Sequence, residues 1–364
     1  MKILLMGFTK MKYMPYINFY LDNINGEENE VHILYWNRDL KDEELASYQD
    51  CVLHEFQCYQ EDDVAKFSKI KSFGKYRSFA KKLLKHENFD FVFVLHSITG
   101  VLVIDVLKKY YTNKYILDYR DSTYEAFSPF MKCVATLTRH SYATFVSSDA
   151  FRRFLPEDCK EKIYTAHNLL TDSLSHRDEK IVHEIPSDKI RIAFWGFIRN
   201  EELNRNVIKR LCNDERFELH YYGREQQVAL NLKAYSAELK ATNVFFHGEY
   251  RPAERYEFVR QTDIIHNIFN DNNMMLAMGN KYYDGVIFRI PQICMKGSFM
   301  GDCAARARVG FLLDPISDSF ANDIYVAYRN MDVITFREHC DKELQRVLEE
   351  VAIGNAIIQQ AQQV

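Results

Sequence analysis

Residues 89–95, FDFVFVL, set the tightest limit on what this chain can fold into. The run is nearly all apolar, rich in aromatic and β-branched side chains, and too short for a buried helix. Its pattern predicts a strand covered on both faces, at the centre of a parallel sheet. Parallel strands need long crossovers, usually helices. The flanking sequence supplies them. Residues 2–6 form a short apolar run ending at Gly7, residues 13–24 read as a helix, and residues 31–36 as a second strand. After the central run come His96-Ser97-Ile98-Thr99-Gly100, a helix over about 101–111 and a strand at 115–117. Further strands are expected at 143–147 and 162–165, with a helix stopped before Pro156 between them.

The same alternation then starts again. At 364 residues the chain is too long for one ordinary core. Composition turns polar at 171–188, where a domain boundary is expected. Strands follow at 190–195, 217–222, 244–247, from 264, at 292–294 and at 310–313. Helices are expected at 204–212, 231–240, 253–261 and 299–306. The stretch 263–295 reads as strand, loop, helix, strand. Asp271-Asn272-Asn273 breaks the first strand, Asn280 stands at a helix N-cap, and Pro291 ends the helix near Arg289. A last long helix covers about 335–358, with Leu344, Val347, Leu348 and Val351 on its apolar side. The expected class is α/β, with two Rossmann-like doubly wound domains facing across a cleft. The domains are residues 1–175 and 186–332, and a C-terminal helix, 333–364, packs back on the N-terminal domain. No sequence repeat or low-complexity segment is present.

Bulk properties remove several function classes. Hydrophobic content of 47% and charged content of 27% are globular values, and 14% aromatic residues argue against disorder. A net charge of -4 gives no whole-protein signal for nucleic acid. The 8 cysteines have no CxxC spacing and no metal-ligand neighbours, which fits a reduced cytoplasm and no zinc site. Neither a signal peptide nor a membrane span is expected, because the start is too short in its apolar core and the most apolar run, 89–107, carries Asp90, His96 and Asp105. A dinucleotide fingerprint is missing: after the first strand stands a single glycine, Gly7, in a loop that includes Lys10.

Ligands of open α/β sheets bind beyond the carboxyl ends of strands. In the first half, His96 and the cluster Asp118, Arg120 and Asp121 fall there and are expected to share one site. In the second half, the strand-end positions are Gly196, Arg199, Gly223, Arg224, Lys281 and Asp284, with Gly248. Glycines leave space for a bulky ligand, Arg199 and Lys281 suit phosphate oxygens, and a carboxylate such as Asp284 suits ribose hydroxyls. A different feature is the stretch 66–86, with eight Lys or Arg and no acid. Phe67, Ile70, Phe73, Tyr76, Phe79 and Leu83 recur at helical spacing. Lys69, Lys71, Lys75, Arg77, Lys81 and Lys82 then either face water around a helix packed on the sheet, or rest on anionic lipid.

Three places carry a resemblance: IRIAFWGFIRNEELNRNVIKRL; FELHYYGR followed by NVFFHGEY; and NKYYDGVIFRIPQI. In order and spacing they resemble the GT-B glycosyltransferases, more narrowly the family-four-like members that build bacterial capsule and exopolysaccharide, over nearly the whole chain. The departures are specific. Where the family has paired glutamates, Leu276 replaces the first and Asp284 the second, and Arg289 replaces the usual glycine before the proline. Arg120 stands where many relatives carry a histidine, as in the subgroups with Arg-Asp there. The resemblance implies sugar transfer from a nucleoside diphosphate sugar, with retention at the anomeric carbon, to a glycan or lipid-linked saccharide at the cytoplasmic leaflet. Gly196, Arg199, Gly223, Arg224, Lys281 and Asp284 would bind the donor; Asp121, His96 or Arg120 would serve the acceptor. No cofactor is implied, and no Asp-x-Asp occurs to hold a metal. Two other readings remain open: a nucleotide-sugar epimerase of the same fold, and a non-catalytic subunit descended from such an enzyme.

Overall fold

The apolar run at the centre of the first half is a strand, Phe91–Leu95 (β4), and all its side chains are buried. In this computed structural model the described residues are 1–24, 26–60, 69–179, 189–270 and 273–364. The chain forms two units: Met1–His167 with Glu349–Val364, and Asn168–Leu348. The first is built on Lys2–Met6 (β1), Glu30–Asn37 (β2), Val52–Gln57 (β3), β4, Tyr115–Tyr119 (β5), Ala143–Val146 (β6) and Ile163–Thr165 (β7). These make a seven-stranded sheet in the order β3-β2-β1-β4-β5-β6-β7, parallel throughout. Strand order reverses between β1 and β4, so a crevice opens where their carboxyl ends diverge.

The second unit repeats the plan. Its strands are Ile190–Trp195 (β8), Phe217–Tyr222 (β9), Val244–Gly248 (β10), Ile264–Asn267 (β11), Gln292–Met295 (β12) and Gly310–Leu313 (β13). The six-stranded parallel sheet runs β10-β9-β8-β11-β12-β13, and its order reverses between β8 and β11. Central strands such as β4 and β11 are buried on both faces; β4 reads as a continuous apolar run, and β11 begins with two isoleucines and ends in the buried His266 and Asn267. Strand β9 lies one place from the edge and alternates between buried and half-buried residues.

Several elements differ from the sequence expectation for local reasons. Residues 13–24 hold short helical turns, Met11–Tyr13, Pro15–Ile17 and Asn18–Leu21, because Pro15 starts a new turn and cannot sit inside a helix. The helix after β4 is split into Ser97–Leu102 and Ile104–Tyr110 at Val103, whose ψ is 18°. Strand β3 and the helices Ser128–His140 and Phe320–Arg329 were not expected. The basic helix begins at Ile70, and the expected residues Lys66 and Phe67 lie outside the described residues, as do Asp271-Asn272 and part of the polar stretch 171–188. Asn280 is the first residue of its helix, Asn280–Ile287, and Gly279 holds the cap position. The last helix is Val333–Ala361; its residues to Leu348 belong to the second unit, and Ile358 and Ala361 are buried in the core of the first. Among the described residues no helix is long and apolar enough to cross a membrane.

An aromatic cluster underlies the outer half of the first sheet. Trp36 is fully buried, its ring meets Phe8, Phe56 and Tyr76 at 5.2–5.5 Å, and its indole N–H donates to the Cys58 carbonyl at 2.8 Å. Trp36→Ala is expected to lower stability by about 3–5 kcal/mol through lost burial and the cavity left behind. The shift of the first unit's denaturant midpoint measures it.

Candidate functional site

The second unit's site is built where β8 and β11 part. Strand β8 ends at Trp195, and Gly196 follows with φ +110°, a conformation open mainly to glycine. A Cβ on Gly223, at the end of β9, would stand 2.2 Å from the Gly196 carbonyl oxygen, so the two strand-end loops meet backbone to backbone. Asn204 holds the turn between them in shape. Its Nδ2 donates to the Arg199 carbonyl at 2.8 Å, and its Oδ1 accepts from the Tyr221 hydroxyl and from His266 Nε2, each at 3.0 Å. His266 Nδ1 in turn accepts from the Ile268 amide at 3.3 Å. Burial, with Lys281 nearby, pushes the imidazole down to about 3, so it stays neutral and keeps both roles.

The helix Asn280–Ile287 brings Lys281 and Asp284 to the same place. Lys281 Nζ donates to the Trp195 carbonyl at 3.0 Å and lies over the Phe194 and Phe269 rings, 4.2 and 4.9 Å from their centroids. Burial pushes its ammonium down to about 7; Asp284 opposes that and Arg199 adds to it. Asp284 is 2% exposed. Its Oδ2 accepts from the Trp195 indole at 2.9 Å and its Oδ1 lies 3.9 Å from Arg255. Burial raises its carboxyl above the usual range, and Arg255, Trp195 and Lys281 partly offset this. Arg255 donates to Ser173 at 2.6 Å, and Tyr256 beside it donates to Asp172 at 2.7 Å. The carboxylate expected to meet ribose therefore has both oxygens turned toward protein groups. Arg199 and Arg224 are exposed, Arg199 over the Phe197 ring at 4.9 Å. Arg289, in the family's glycine position, takes φ +54° and is paired with Asp341 at 2.8 Å and Asp178 at 3.2 Å.

In the first unit His96 and the Asp118 cluster come together at the ends of β4 and β5. The His96 amide donates to the Asp118 carbonyl at 2.9 Å. His96 has φ +95° and ψ 138°, a region that costs a non-glycine residue on the order of 1–3 kcal/mol. Its Nδ1 caps the following helix by accepting from the Ile98 amide at 3.1 Å. Burial lowers its basicity, against Asp121 and Asp118. Arg120 is 5% exposed, donates to Asp118 at 2.8 Å and stacks 4.0 Å over Tyr16; Asp121 is exposed.

Gly7 and Lys10, in the loop after the first strand, are both engaged inside the first unit. Gly7 offers no room to a ligand, because a Cβ there would stand 2.5 Å from Met14 Sδ. Lys10 is 2% exposed and bound to Asp39 at 2.6 Å and the Lys41 carbonyl at 2.8 Å, so its charge is used inside the unit. In the basic helix Ile70–His86, Tyr76, Ala80, Leu83 and Leu84 are buried. Arg77 and Lys81 pair with Asp105 at 3.2 and 2.6 Å, while Lys71, Lys75 and Lys82 are exposed and Lys69 is half-buried. Ile70 and Phe79, expected on the apolar face, are 62% and 37% exposed. Among the described residues no group of three or more His, Cys, Asp or Glu is arranged to hold a metal ion.

No family model and no curated protein matches this sequence. Solved structures match its fold. Sucrose-phosphate synthase from Thermosynechococcus elongatus aligns over 100% of this chain and 97% of its own, with a TM-score of 0.71 at 11% identity. HepE from Anabaena, in complex with UDP and glucose, aligns over 95% and 99%, with a TM-score of 0.59 at 13% identity. The chain has the GT-B fold. That fold also serves other chemistry: a Listeria monocytogenes protein assigned as a UDP-N-acetylglucosamine 2-epimerase aligns over 95% and 91%, with a TM-score of 0.55 at 11% identity.

Trp195, Arg255, Asn204 and His266 escaped the sequence reading. Strand-end position was a signal for Trp195 and His266; nothing local marks Arg255, whose partner Asp284 lies far along the chain. Removing one member of the buried Asp118–Arg120 pair leaves an uncompensated charge. Arg120→Gln is expected to cost about 3–5 kcal/mol, read by chemical denaturation.

Proposed function

We propose that the chain is a glycosyltransferase that takes a nucleoside diphosphate sugar as donor. One observation carries the reading: two cations, Lys281 and Arg199, stand with the bare backbone of Gly196 and Gly223 at the strand-order reversal of the second unit. Breaking the anomeric bond puts negative charge on the leaving diphosphate. Cations already in place stabilise that charge without reorganising. Arg224 extends the donor side. Asp284 acts from within the protein by holding Trp195 and Lys281. In the first unit, Asp121 or the neutral His96 orients the acceptor hydroxyl, and Arg120 holds the cluster together. We read the reaction as retaining, with the leaving phosphate taking the acceptor proton, and requiring no metal.

The acceptor is a glycan or lipid-linked saccharide in surface polysaccharide synthesis, such as capsule or exopolysaccharide, met at the inner face of the cell membrane. The exposed Lys71, Lys75 and Lys82 support this, since each basic residue near an anionic surface adds about 1 kcal/mol. Replacing all three with Glu is expected to abolish sedimentation with vesicles containing phosphatidylglycerol and to leave UDP binding unchanged.

The fold likeness to the Listeria protein supports one second reading, a nucleotide-sugar epimerase. Incubation with a UDP-sugar and no acceptor separates the two: the transferase returns the sugar's configuration unchanged, and an epimerised sugar would refute it.

Arg199→Ala and Lys281→Ala are each expected to weaken UDP binding at least tenfold in calorimetry, about 1.4 kcal/mol. Lys281 also sets a pH dependence. Its ammonium is depressed to about 7, so the charge that attracts diphosphate is present below that pH and lost as pH rises through it. UDP affinity is expected to fall between pH 7 and 8.5, and Lys281→Arg to flatten the fall.

A further inference from the structure

We propose that Trp195 is a positioning residue of the donor site, acting through Lys281 and Asp284. The inference rests on the reading of that site as the donor side. Trp195 is 3% exposed and bonded at both ends. Its backbone carbonyl accepts from Lys281 Nζ at 3.0 Å, and its indole N–H donates to Asp284 Oδ2 at 2.9 Å. The two partners are three residues apart on one helix and so share a face. One residue of β8 therefore sets the register of that helix against the strand end. The chain then turns at Gly196, where a Cβ would lie 4.0 Å from Lys281 Nζ, so the ammonium sits beside the turn.

At this otherwise apolar, buried strand end the Trp195 indole N–H supplies the donor. Its ring is also packed against Phe258 at 5.6 Å, which fixes the direction of the N–H. Arg255, 3.9 Å from the other Asp284 oxygen, completes the pairing. The groups facing Asp284 are thus Trp195 from β8, Arg255 from the helix Arg255–Gln261, Lys281 from its own helix, and Asp172 more distantly. Without the indole donor, the Asp284 carboxylate would hold its charge less well, and Lys281, still bonded to the Trp195 carbonyl, would lose a neighbouring anion.

The test is UDP binding to the whole chain by calorimetry from pH 5 to 8.5, with the melting temperature recorded for each variant. Trp195→Phe keeps an aromatic ring and removes the N–H. It is expected to weaken UDP binding about tenfold, the scale of a hydrogen bond to a charged group, and to move the acid limb of binding to higher pH. The limb moves up because protonation of Asp284 becomes easier once the donor is gone. Trp195→Phe combined with Asp284→Asn is expected to bind no more weakly than Asp284→Asn alone. Unchanged affinity and an unchanged acid limb in Trp195→Phe, with Lys281→Ala still impaired, would overturn the role of Trp195 and leave the donor site standing. Normal UDP binding by Lys281→Ala would overturn the donor site and this inference with it. Should Trp195→Phe not fold, Asp284→Asn with Trp195 intact reads the charge that the indole holds: a weakened, acid-insensitive profile supports the proposal and a wild-type profile refutes it.

Discussion

A parallel sheet covered on both faces leaves a ligand little access except at its strand ends. Both sheets of this chain obey that constraint, and both reverse strand order once, between β1 and β4 and between β8 and β11. The polar residues that interest a chemist collect at those two places. At the first, His96 accepts a strained backbone and Asp118 and Arg120 form a buried pair. At the second, two strand-end loops touch through glycine backbone, and a short helix presents a lysine and a carboxylate.

Desolvation decides what those groups can do. A buried ion pair breaks near even against its hydration cost, so each buried charge here is held by several partners. Asp284 has Trp195 and Arg255, and Arg120 has Asp118 and the Tyr16 ring. Lys281 is the exception in kind. Its partners are a carbonyl and two ring faces, which stabilise a cation less than a bound carboxylate would, and burial leaves it near neutrality at ordinary pH. An arriving diphosphate would supply the missing counter-charge. This explains how a lysine can be costly in the empty protein and useful in the loaded one.

Much of the architecture was legible in the chain. Strands β8, β9 and β13 begin and end where apolar runs meet Gly or charged residues, and their expected bounds match those observed. Strand β3 was not legible, because VLHEFQ lies at a sheet edge and carries polar residues on both faces. The site was half legible. The clustering of His96, Asp118 and Arg120 could be found because strand ends are recognisable from local pattern, and Lys281 and Asp284 could be placed together because a helix start is. What each one touches could not. Trp195 and Asp284 are 89 residues apart, Lys10 meets Asp39 across 29, and Arg289 finds Asp341 across 52. Nothing local to Lys10 marks its partner, and Arg289 looked like a lost glycine when it is a left-handed residue held by two aspartates.

The most direct test of the central claim is a thermal-shift comparison of the intact chain with UDP-, GDP-, TDP- and CMP-sugars. A ligand that binds only the folded state at one hundred times its dissociation constant adds about 2.7 kcal/mol of stability. The account predicts that at least one nucleoside diphosphate sugar raises the melting temperature and that its free sugar does not. No stabilisation by any of the nucleotides would contradict it.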